Sequence, residues 1–264
     1  MKRRGFTLAE VLITLGIIGV VAALTAPALV QNANSAKVGP KLAKAVSTFE
    51  LANEAMLNEA STTTLKGMSF ASDAAYLTKL SDYMRMTYDN ESGSGVTKYS
   101  SLLKNYSGKT VVALSPAGEL RPVTVGGKEI AVDYLLPGIV LQPSIAAKTI
   151  AMVKGGAILG VNIDANTYRN NLVVDIDGTK EEISFKPHQY PYGTVIIDIN
   201  GKSEPNQLGK DAFVFTLMAD GSLEPYGANG SWNTGKDLCN ATTVNSGGTC
   251  SASIFENDLK VIYQ

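Results

Sequence analysis

An apolar run from Val11 to Val30, headed by the carboxylate of Glu10 and preceded by Lys2, Arg3 and Arg4, constrains this chain more than any other stretch. Twenty residues of α-helix span about 30 Å, the thickness of a bilayer hydrocarbon core. Three cations before the run and none inside it predict an N-terminus held in the cytoplasm, with everything after Val30 carried outward. A carboxylate beside lipid costs roughly a few kcal/mol by insertion scales unless something compensates it. Glu10 is therefore either a tolerated residue snorkelling toward water or a functional one. The rival reading of the whole segment is a secretory signal peptide, cleaved near Ala26-Pro27-Ala28. Against it stand the acidic Glu10 and a run longer than the 7–15 residues usual for such peptides.

The residues Gly5-Phe6-Thr7-Leu8-Ala9-Glu10, behind a short basic leader and ahead of the apolar run, resemble the N-terminal signature of the prepilins. These are the type IV pilins and the pseudopilins of type II secretion. The resemblance covers only about the first thirty positions. It implies cleavage between Gly5 and Phe6 by a prepilin peptidase, and methylation of the new Phe6 amine. It also implies that Glu10 meets the N-terminal amine of a neighbouring subunit during assembly, which fits the physics of a carboxylate in lipid. The partners so implied are other pilin or pseudopilin subunits, the peptidase and an inner-membrane assembly platform. The implied location is the inner membrane, crossed once with the head outside the cytoplasm, and after assembly a filament in the periplasm or at the cell surface. A proline at the position of Pro27 is linked in that family to bending or melting of the helix; a simple kink is the equal alternative.

The chain divides on this reading into a leader (1–5), a membrane and filament-core helix (6–30), an amphipathic continuation (31–60) and an extracytoplasmic head (61–264). An apolar content of 45% against 18% charged residues predicts a packed head rather than disorder. Of 23 Lys and Arg, three lie in the leader, so the mature chain carries 20 against 24 acidic residues, a formal −4. No block of basic residues points to nucleic acid.

The continuation repeats Val38, Leu42, Val46, Phe49, Asn53, Met56 and Ala60 at helical steps, with Lys37, Lys41, Lys44, Glu50, Glu54 and Glu59 on other faces. This stripe predicts packing against the head. Gly16, Gly19, Pro27, Gly39 and Pro40 interrupt the helix, and each proline should bend or locally open it. After a polar connector over Ser61–Lys66, Ser69–Tyr88 reads as a second helix, and Asn90–Gly95 as a break. Strand signals follow at Thr110–Leu114, Leu120–Val125, Ile130–Tyr134, Gly138–Leu141, Thr149–Val153, Ile158–Ile163, Asn171–Ile176, Thr194–Ile199 and Ala212–Met218. One long helix followed by a meandering antiparallel sheet predicts an α+β fold.

Cys239 and Cys250 flank a polar, glycine-bearing loop. In an oxidising compartment they should close, restricting the unfolded chain by roughly 3 kcal/mol; two free buried thiols are the alternative. Such a bridge resembles the C-terminal disulfide loop of many type IV pilins. Two segments echo each other, Val173–Glu181 and Ile196–Glu204, each a strand ending in Asp-x-Asp/Asn-Gly. Asp198, Asn200 and Asp211 could supply hard oxygen ligands for calcium, which major secretion pseudopilins bind in a C-terminal loop. The spacing departs from an EF-hand, and Asx-turns ordering a β-connection are the other reading. His188, the single histidine, lies in a proline-rich loop, Gly155–Gly160 lacks the Lys-Ser/Thr of a phosphate loop, and Trp232 reads as a loop anchor. The sequence thus predicts a structural filament subunit and no enzyme. A secreted or anchored β-rich binding protein remains the alternative.

Overall fold

The computed structural model describes residues 7–87, 103–108, 118–125, 128–135, 150–153, 156–163, 171–176, 179–184, 191–201, 203–226 and 250–256. Helix α1 runs from Leu8 to Glu59, 52 residues and about 78 Å long. It remains one helix through Gly16, Gly19, Pro27, Gly39 and Pro40, so neither proline opens it as expected. A proline removes one hydrogen bond, and around Pro40 the buried Val38, Leu42 and Val46 hold the helix against the head.

The two halves of α1 meet different surroundings. Leu8–Thr25 is long and apolar enough to cross a membrane, and none of it is buried in the protein. From Val38 onward the predicted stripe is buried: Val38, Leu42, Val46, Phe49, Asn53 and Met56, joined by Ala52 and Leu57. Ala60 is exposed and forms the C-cap.

The second helix is shorter than the sequence suggests. A 3-10 turn, Leu65–Met68, precedes α2, which covers only Asp73–Leu80. Ser72 caps α2 by accepting the Ala75 N–H, and the chain turns after Leu80. Phe70 and Met84, expected on the helix face, are buried from the flanking turns instead. Met86–Thr87 then forms a two-residue strand, β1.

The strands are β2 (Gly118–Val125), β3 (Lys128–Leu135), β4 (Ile150–Val153), β5 (Ile158–Ile163), β6 (Asn171–Ile176), β7 (Thr179–Ser184), β8 (Pro191–Asp198), β9 (Ala212–Met218) and β10 (Leu223–Pro225). Five of these join β1 in one antiparallel sheet, in the order β1-β4-β5-β8-β9-β10. The others pair as two separate ribbons, β2 with β3 and β6 with β7. The fold is α+β. Strands β1, β7 and β10 have no counterpart among the expected ones, while Thr110–Leu114 and Gly138–Leu141 lie outside the described residues. A last helix, α3 (Cys250–Glu256), packs along β9 and β10, with Phe255 edge-on to Phe215 at 5.9 Å between ring centroids.

Alternate residues of the central strands feed one core with α1 and α2. Leu159, Val161 and Ile163 of β5, Val195 and Ile197 of β8, and Phe213, Phe215 and Leu217 of β9 join the α1 stripe. Polar contacts set the register of helix on sheet. The buried Asn53 side chain donates to the Gly221 carbonyl (3.1 Å) and accepts from the Tyr76 hydroxyl (2.7 Å). The Leu223 N–H donates to Glu50 (2.9 Å) one turn earlier. Gly221 lies at φ +86° with Asn53 Cβ only 2.6 Å from where its own Cβ would stand, so the turn admits only glycine.

Candidate assembly site at the helix N-terminus

Thr7 is the N-cap of α1, in extended conformation. Its hydroxyl accepts the Glu10 N–H at 3.3 Å, and the Glu10 carboxylate accepts both the Thr7 N–H (2.7 Å) and the Thr7 hydroxyl (2.9 Å). This reciprocal arrangement is a capping box, which satisfies backbone donors that the first turn of a helix leaves without partners. It answers how one chain carries a carboxylate at the head of a lipid-length helix: Glu10 is met by donors of its own helix end, where the helix dipole also favours negative charge.

Two threonines further along the helix continue the pattern. The Thr14 hydroxyl donates back to the carbonyls of Glu10 and Val11 at 2.9 Å, and Thr25 does so to Val21 at 2.8 Å. Hydroxyls spent on the helix's own carbonyls present no free donor to an apolar medium. Leu8, Leu12, Ile13, Leu15, Ile17 and Ile18 are 59–81% exposed. The segment is thus apolar all round, with its one charge folded back on its own cap.

Gly5 and Phe6, the expected cleavage and methylation positions, lie outside the described residues, as does Cys239. Cys250 opens α3, fully buried, and no cysteine among the described residues is a free thiol. Asp198, Asn200 and Asp211 are brought together in the connection from β8 to β9. Asp198 accepts the N–H groups of Asn200 (3.1 Å) and Gly201 (2.8 Å), an Asx-turn. Asp211 accepts those of Asn206 (2.8 Å) and Gln207. Burial pushes the Asp211 carboxyl above the usual range, opposed by those amides and by the Asn200 side chain. Calcium takes 6–8 oxygens, whereas these carboxylates already face N–H donors, and of the Asn200 side chain only the oxygen is left buried without a hydrogen bond. Among the described residues no group of three or more His, Cys, Asp or Glu side chains is placed to hold a metal. The cluster orders a turn.

Residues 1–26 match the family model of the prokaryotic N-terminal methylation motif. The chain carries a prepilin-type signal. That motif marks type IV pilins and pseudopilins, substrates of prepilin peptidase that assemble with other pilin-type subunits. No curated protein and no solved structure matches the chain. With the motif, the exposed apolar helix fits a protein anchored in the inner membrane.

Sequence reasoning placed Glu10 but passed over Thr7, although Thr-x-x-Glu ahead of an apolar run is the spacing of a capping box. Asn53 was also readable, as the one polar residue inside an otherwise apolar stripe.

Proposed function

We propose that this chain is a non-enzymatic filament subunit of the type IV pilus and type II secretion superfamily, closer to the pilus type. One observation carries the reading: a prepilin motif heads a helix whose first half is bare and whose second half is built into a folded head. Cleavage between Gly5 and Phe6 exposes an amine one residue ahead of the N-cap Thr7 and four residues ahead of Glu10 in the sequence. The helix waits in the inner membrane with Glu10 satisfied by Thr7. An incoming neighbour's Phe6 amine then takes over the carboxylate, a stronger partner in lipid because it brings the opposite charge. The assembly platform and the placement of the head outside the cytoplasm belong to the same proposal.

The pilus-type assignment is supported by Cys250, buried at the start of α3 and not free, which we pair with Cys239 across a C-terminal loop. The absence of enzymatic activity is supported by a single histidine and no catalytic motif in the sequence.

Intact-mass and N-terminal peptide mass spectrometry on the membrane fraction of the native cell tests the proposal. A chain beginning at methylated Phe6 is expected. A soluble chain beginning near Leu29 would overturn it in favour of a secreted β-rich binding protein.

A further inference from the structure

The outward face of the second half of α1 carries a charge pattern that none of the described residues of the head pairs with. Lys37, Lys41 and Lys44 are exposed, and none of their ammonium groups makes an ion pair or hydrogen bond among the described residues. Two turns beyond Lys44 stands Leu51, 61% exposed. Among the described residues every other exposed large apolar side chain lies in Leu8–Leu24. Glu54 follows, exposed and also without a partner among the described residues. In the last turn Glu59 accepts the Tyr83 hydroxyl (2.6 Å) and lies 3.7 Å from Lys79, itself 3.3 Å from Asp82. The face is therefore basic near the membrane, apolar at Leu51 and acidic at its far end.

Copies anchored in one membrane by the same helix stand parallel. In flush register their lysines would face lysines. Sliding one copy along the axis by the distance from Lys44 to Glu54, about 15 Å, or from Lys37 to Glu54, about 26 Å, sets cations beside a carboxylate. The lysine stems can then lie over Leu51. Lys44 and Glu54 are also separated by about 80° around the helix. The contact joins two different patches, which makes it heterologous, and such contacts repeat without closing.

We propose that this face docks a second copy of the same chain, parallel and staggered by about 15–26 Å, with Lys37, Lys41 and Lys44 of one copy against Glu54 of the next and Leu51 between them. The proposal rests on the filament-subunit reading and adds what sets its register. Exposed ion pairs give little affinity but strongly penalise wrong juxtapositions, so the charges choose the stagger.

The test uses the full-length chain in its native cell. The double variant K41E/K44E and the single variant E54K should each lower filament yield about tenfold, and the triple combination should recover most of it. L51R, at an exposed position, should lower yield while leaving the head resistant to protease. Coexpressed K44C and E54C copies should cross-link to each other through a short bismaleimide more than either does to itself. Charge reversals that assemble like the unaltered chain would overturn the proposal. So would K44C copies that cross-link mainly among themselves, which would show flush pairing. Loss of membrane retention on reversing the lysines would assign them to lipid headgroups instead. An unaltered chain cut at Phe6 that forms no filament would instead sink the filament reading itself.

Discussion

Within one helix, residues 8–25 and residues 38–57 solve opposite problems with similar side chains. In the first, Leu12, Leu15 and Ile18 are about 60% exposed, and polar atoms are folded onto the helix's own backbone. In the second, Leu42, Phe49 and Met56 are buried to 1% or less, and Asn53 and Glu50 reach across to a sheet turn and a second helix. The difference teaches where the information lies. Apolarity on every side calls for a medium, lipid or other helices, whereas apolarity on one side calls for a particular partner, and here that partner is the chain's own head.

The sharpest way to separate the halves is to make the same kind of truncation in each. Phe49→Ala should destabilise the head by about 3–5 kcal/mol through the cavity it leaves. Leu15→Ala should change head stability by less than about 0.5 kcal/mol. Denaturant unfolding of the detergent-solubilised chain, followed by head fluorescence, reads both; equal effects would erase the distinction. Asn53→Ala comes next, at about 1–3 kcal/mol, because it strands the Tyr76 hydroxyl and the Gly221 carbonyl in the core. Burial already pushes the Tyr76 hydroxyl far above the ordinary phenol range, so it stays a donor in need of an acceptor.

Thr7→Ala is smaller, about 1 kcal/mol of helix-end stability. It should speed amide hydrogen exchange at Glu10 without touching the head, and a changed head melting point would argue that the halves are coupled. The smallest effect is one of pH. Burial raises the half-buried Asp73 carboxyl above its usual range, although the Ile163 N–H donates to it at 2.8 Å. A carboxyl raised in the fold binds its proton more tightly there than in the unfolded chain. Its contribution is fully present below the ordinary carboxylate range and is lost as pH rises through the raised value. The stability of the unaltered chain relative to Asp73→Asn should therefore decline from about pH 4 upward, as thermal melts across that range would show. A rise instead would mean that the Ile163 amide outweighs burial.

The α1 stripe was legible because a 3.6-residue period survives in its sequence, and β5, β6 and β9 because short β-rich runs are bounded by turns. The second helix was read too long, since Met84 keeps helical spacing from Leu77 and Leu80 although Ser81 has already ended the helix. Strand β7 was hidden by Lys180, Glu181 and Glu182, charged residues that pair with Asp175, Val174 and Val173 of β6. The echo Asp198-Ile199-Asn200-Gly201 does not close a two-residue hairpin. Its Asp198 draws the chain into a connection that returns only at Ala212. At the N-terminal site, the Gly-Phe-Thr-Leu-Ala-Glu signature singled out Glu10 as a residue to explain. The Thr-x-x-Glu spacing permits the cap, and the structure shows that Thr7 makes it; a carboxylate's partner can otherwise lie in another chain.

Both ribbons sit inside connections of the six-stranded sheet, β2–β3 between β1 and β4, and β6–β7 between β5 and β8. Without them the sheet is a plain up-and-down meander. Each doubling of a connection's length costs only about 0.6 kcal/mol of closure entropy. A head on this plan can therefore grow or shed appendages and alter its outer shape while the strands that grip α1 stay as they are. In the proposed filament, tension would pass from α1 into the sheet packed on it.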